Sequence, residues 1–166
     1  MHVATERQLA RIRRLGAVVT TNPISYLWRS GSAELARLEG EAEMLSPHRS
    51  LARLGVPFGI ATDNKGNPWL AFKAAVERRD MTTGQVLDAS QRLSRGQALR
   101  ALTVGGAWIT FAERERGVLA PGRAADLAVL DRDPLTAPVD ELAEMPARLT
   151  MVGGQVAHGG PRSSFG

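Results

Sequence analysis

The chain has 166 residues, 43% hydrophobic and 23% charged. That length carries one ordinary domain with a real core, and the composition excludes collagen, coiled coil and gross disorder. With no cysteine there is no disulfide framework, no thiolate metal site and no cysteine nucleophile. No apolar run approaches the roughly 18 residues that a membrane span needs. The polar opening, residues 1–8, does not read as a secretory signal. A cytoplasmic protein with no membrane partner is the expectation. Twenty-one Lys and Arg against 17 Asp and Glu give +4 and a pI near 10.6, which raises nucleic acid as a ligand. Only Lys65 and Lys73 are lysines, an arginine skew that GC-rich coding alone produces. Acids interleave with the arginines, as in Glu113-Arg114-Glu115-Arg116, and Arg11, Arg13 and Arg14 fall on the polar side of a predicted helix. A solvated helix face, with no nucleic-acid partner, is the reading adopted.

Residues 5–15 read as a helix: Thr5 and Gln8 form a capping box, and Leu9, Ile12 and Leu15 recur at three-residue spacing. Gly16 stops it, and the β-branched run 17–21 reads as a strand closed by Asn22-Pro23. The same step recurs. Ser46-Pro47 opens a helical piece with Leu51 and Leu54, Gly55 ends it, and 56–61 reads as a second strand. Thr62-Asp63-Asn64 then stands where that strand ends. Asn67-Pro68 starts a helix, and Ser94 with Gln97 forms another capping box. Beyond about residue 111 the character changes. Residues 125–131 form an apolar strand, and 148–152 and 155–158 flank Gly153-Gly154, a hairpin signal. Two strands with parallel-type connections do not make a self-sufficient α/β sheet.

In parallel α/β folds, functional groups collect at the carboxyl ends of strands, which makes Asp63 the first candidate. Its carboxylate there serves either a metal or proton transfer, or it merely turns the chain with Asn64 and Gly66. Among the histidines, His2, His48 and His158 show no metal-ligand spacing. His48 beside Pro47 reads as structural and His158 as surface. Gly105-Gly106 reads as a close packing contact, and Trp28, Trp69 and Trp108 as core or pocket wall.

The run 9–19, Asn22-Pro23, Arg49-Ser50-Leu51 with Gly55-Val56-Pro57, and Thr62-Asp63 together resemble the amidohydrolase superfamily. The resemblance is to its "amidohydrolase 3" branch of formamide-deformylase-like metal-dependent hydrolases. The segment 98–103 and the run from Pro121-Gly122 through Ala125-Asp126-Leu127 to Asp133-Pro134 are its most specific part. The resemblance implies an α/β fold that is the C-terminal fragment of a (β/α)₈ TIM barrel, strands seven and eight with flanking helices. Strands of a small β-sandwich domain follow. The implied division is 1–112 for the barrel part, 113–158 for the returning strands and 159–166 for a disordered tail. It also implies a divalent metal, commonly zinc, that activates water against an amide-like C–N bond of a small-molecule substrate. Asp63 falls on the strand-eight aspartate that binds metal and shuttles the proton, and His2 on the strand-six histidine ligand. Strands one to five and their ligands have no counterpart, so the chain alone is expected to be inactive. The other reading is a non-catalytic relic that docks to a separate N-terminal half or self-associates through the open barrel edge.

Overall fold

The computed structural model describes residues 1–38, 43–63 and 66–159. The first helix, α1 (Glu6–Arg14), begins where its sequence says: the Thr5 side chain accepts from the Gln8 backbone while the Gln8 side chain returns to Thr5. Leu9 is fully buried on its inner face, but Leu15 is 71% exposed. The three-residue spacing placed Leu15 on the apolar stripe, yet it is the capping residue after the last helical turn. There the chain leaves the helical path through Gly16 (φ +64°).

The centre is a pair of short parallel strands, β2 (Val19–Thr21) and β4 (Phe58–Ile60), in register Val19 to Phe58 and Thr21 to Ile60. Between them the chain runs through a π-helical turn (Ile24–Arg29), α2 (Gly31–Ala36), β3 (Glu43–Leu45) and α3 (His48–Arg53). Ahead of α1, β1 (Val3–Thr5) pairs antiparallel with β3. This second pair is not legible in the sequence, because three residues give no alternation to read. Leu9 of α1 and Leu51 of α3 cluster with Val19, Val56 and Ala4, so both helices pack on β2. On the other side α4 (Pro68–Glu77) and α5 (Arg95–Leu102) bring Phe72, Ala75 and Ala98 against Ile24 and Ile60. Both have the caps their sequences announce: Asn67 accepts from Trp69 and Leu70, and Ser94 with Gln97 closes a capping box. Trp28 and Trp69 pack on this core.

Helix α6 (Val104–Ile109) lies directly on β4, and glycine makes the approach feasible. A Cβ on Gly105 would stand 2.1 Å from the Phe58 carbonyl oxygen, and one on Gly59 would meet Ile109 and the Gly105 backbone. Gly106, one residue on, has open space around it. Of the two glycines expected to mark a packing contact, Gly105 makes it. Gly105→Ala is therefore expected to destabilise the chain by about 3 kcal/mol, as overpacking against backbone. Gly106→Ala is expected to be neutral or stabilising by up to about 1 kcal/mol through helix propensity. Urea midpoints of the two variants check this, and equal shifts would contradict it.

The C-terminal strands form one antiparallel sheet, β5 (Leu127–Leu130), β6 (Ala147–Val152) and β7 (Gln155–Gly159) in that order, with α7 (Val139–Leu142) before β6. The β6–β7 turn is Gly153-Gly154, both at positive φ, as the two-glycine signal required. His158 is exposed on β7. Gly159, where a disordered tail was expected to start, is the last residue of β7, and 160–166 lie outside the described residues. Among the described residues no helix is long and apolar enough to cross a membrane.

Candidate functional site

The ladder fixes which residues reach the rim. Val19 N–H donates to Pro57 and Ala61 N–H to Thr21, so the pairing continues one bond past β4 before the strands part. Asn22 follows directly on β2, and Asp63 stands three residues beyond β4. The two meet across the gap: the Asn22 side-chain amide donates to Asp63 Oδ2. Asp63 is exposed and adopts the left-handed backbone conformation (φ +48°), which aspartate tolerates better than most residues. Asn64 and Lys65, which follow it, lie outside the described residues.

Beneath this rim is a buried polar layer. Thr21 is buried; its hydroxyl lies 3.4 Å from the Gly59 carbonyl and 3.0 Å from His48 Nε2. With that hydroxyl donating to the carbonyl, His48 donates from Nε2 and its bare Nδ1 has no partner among the described residues. Burial, then the nearby Arg78 guanidinium, then the terminal ammonium hold the His48 imidazolium back, lowering its pKa to about 3. A histidine so placed is a neutral structural donor at any ordinary pH, as its position beside Pro47 suggested. Arg78 itself is fully buried, and among the described residues its guanidinium donates to backbone carbonyls: Leu87 at 2.6 Å, Leu45 at 2.7 Å and Ser46 at 2.8 Å.

His2 stands directly ahead of β1. Its ring stacks on Tyr26 at 4.2 Å and its Nε2 is 3.9 Å from Glu34. The contacts of His2 and Asp63 are with different partners. Among the described residues no group of three or more His, Asp or Glu side chains is arranged to hold a metal ion. Zinc sites in hydrolases take three protein ligands around an open position, so the residues present do not fit a complete metal centre. A separate cleft of about 760 Å³ between α5, α6 and β5 is walled by Trp69, Leu99, Leu102 and Leu130. Its Arg116 and Asp126 are paired to one another at 3.5 Å, and its third charged residue, Asp133, accepts from the Leu135 backbone N–H at 2.8 Å.

Sequence reasoning missed Asn22 as the partner of Asp63. Its signal was the one that singled out Asp63, a polar residue at the carboxyl end of a strand. In the sequence the Asn22-Pro23 pair closes that strand and belongs to the runs that carry the resemblance, and neither points to Asp63.

A parallel strand pair with a carboxylate beyond its carboxyl end, flanked by helices, is the arrangement in which parallel α/β folds place functional groups. A family model described as "Amidohydrolase family" matches residues 1–158, and the chain belongs to that family. It is 29% identical over 163 residues to an N-substituted formamide deformylase of Arthrobacter pascens, covering 92% of this chain and 29% of that protein. It therefore spans less than a third of that relative's length. Among solved structures it resembles an uncharacterized metal-dependent hydrolase from Pyrococcus furiosus, with 28% identity and a TM-score of 0.62. That match covers 81% of this chain and 28% of the other. The fold is also shared with a zinc-bound adenosine deaminase from Xanthomonas campestris, at 21% identity and a TM-score of 0.69. Here 96% of this chain and 36% of that one align.

Proposed function

We propose that this chain carries the last two barrel strands, and the sheet after them, of a metal-dependent hydrolase that cleaves an amide-like, non-peptide C–N bond. The observation that carries this reading is the parallel β2–β4 pair presenting Asp63 beyond its carboxyl end, within a family match that spans residues 1–158. The formamide deformylase relative supports a small N-acyl substrate. The remaining barrel strands, and the ligands they carry in the family, come in this reading from sequence outside these 166 residues.

A divalent metal, commonly zinc in the family, supplies activated water in such enzymes. Asp63 and His2 are the two candidate ligands here, and two fall short of the three that a working zinc site needs. What the chain does supply is a carboxylate at the rim. Asp63 is able to accept a proton from attacking water and return it to a leaving amine. On its own the chain is expected to be inactive. Purified protein assayed with N-formyl and simple amide substrates and added zinc is expected to give no turnover above background. Turnover that Asp63→Asn abolishes would overturn this.

A further inference from the structure

We propose that Asn22 is a positioning residue for Asp63: its side-chain amide holds carboxylate oxygen Oδ2, so that chemistry at Asp63 passes through Oδ1. The inference rests on the reading of Asp63 as the site carboxylate.

Three observations carry it. The orientation of the Asn22 amide is fixed by its own partners. Its Oδ1 accepts the Ser25 backbone N–H at 3.1 Å, and only the oxygen of an amide is able to do so. The NH₂ is thereby turned to Asp63, whose ionised carboxylate only accepts. Second, Asn22 is only 8% exposed, whereas Asp63 is exposed, so the rigid member of the pair is the amide. Third, Asn22 is itself anchored from both sides. Thr21 before it is buried with its hydroxyl on Gly59 and His48, and Pro23 after it fixes the next backbone dihedral. An exposed aspartate at a strand end otherwise rotates and offers both oxygens. A charge-assisted bond to a buried amide stops the rotor and joins the carboxyl ends of the two strands.

Two roles of Asn22 separate by substitution. Aspartate at position 22 keeps an oxygen for the Ser25 N–H, as Asp caps such turns as well as Asn, but replaces the donor with a like charge. Nuclear magnetic resonance of the intact chain at neutral pH, without substrate or metal, reads both. In the unsubstituted protein one proton of the Asn22 side-chain amide is expected downfield and slow to exchange, and Asp63→Ala should return it to ordinary values. Asn22→Asp should leave the Ser25 amide resonance in place while moving the Asp63 carboxyl carbon. An Asn22 amide indifferent to Asp63→Ala, or an Asp63 carboxyl carbon unmoved by Asn22→Asp, would overturn the proposal. Neither readout depends on turnover, so this inference is able to fail while the hydrolase reading stands, and the reverse.

Discussion

Arg78→Ala is expected to be the most damaging single substitution in the chain, costing about 5 kcal/mol, comparable with the whole stability of an ordinary domain. The side chain is fully buried and its three donor positions each hold a carbonyl, on Leu45, Ser46 and Leu87. Those carbonyls belong to the end of β3 with the residue after it, and to the segment returning to α5, so one guanidinium ties the end of α4 to two other stretches of chain. Removal leaves the buried Leu45 and Leu87 carbonyls without that donor, at about 1–3 kcal/mol each, and a cavity besides, while the Ser46 carbonyl keeps the His48 backbone N–H at 2.7 Å. Lysine in its place cannot spread its donors over a planar fork, so Arg78→Lys should recover only part of the loss. The control is Arg11→Ala on the exposed face of α1, expected within about 0.5 kcal/mol of the parent. Denaturant unfolding of the three variants measures this. An Arg78→Ala protein as stable as the Arg11 control would show that the Leu45 and Leu87 carbonyls find other partners.

Stability is also expected to fall steeply with acid, beginning near pH 6.5. His48 in the folded chain titrates only at about 3, held down first by burial and then by Arg78 and the terminal ammonium. In the unfolded chain it titrates at its ordinary 6.5. Between those values the unfolded state binds the extra proton, so unfolding becomes easier as pH falls, by about 1.4 kcal/mol per pH unit. Full stability from this group is present above pH 6.5. A second carboxylate-driven loss lies lower. Burial pushes Asp80 up, but N–H donors from Ser32, Thr83 and Thr82 outweigh it and lower its pKa from 3.8 to about 2. Its contribution is present above 3.8 and lost toward 2. His48→Gln separates the two windows, since glutamine is able to donate to Thr21 without titrating. The variant should lose the slope between pH 6.5 and 4 and keep the loss below 3.8. An unchanged slope in His48→Gln would place the acid sensitivity elsewhere.

Much of the local structure was legible because it is decided within four residues. Thr5 with Gln8, Asn67 with Pro68, and Ser94 with Gln97 start α1, α4 and α5 as read, and Gly153-Gly154 turns the last hairpin. The family was legible for another reason, the ordered runs around Asp63 and from Pro121 to Pro134. What escaped was set by long-range pairing. The β1–β3 pair joins strands of three residues some forty positions apart, and neither alternates long enough to show a period. Leu15 kept the helical spacing but fell past the helix end, where no neighbour covers it. At the site, Asp63 stood out as a polar residue at a strand end, whereas its partnership with Asn22 depends on β2–β4 register. His48 announced itself by position, but nothing local revealed that Arg78 would be buried beside it with its guanidinium on backbone carbonyls.

Zinc stoichiometry of the purified chain tests most directly whether these 166 residues hold only part of an amidohydrolase centre. Equilibrium dialysis at micromolar zinc, on the parent and on Asp63→Ala, is the measurement. No stoichiometric zinc on either protein is the expected result, since one rim carboxylate and a distant-partnered His2 do not make a site. About one zinc per chain, lost in Asp63→Ala, would contradict it and show a complete centre within this sequence.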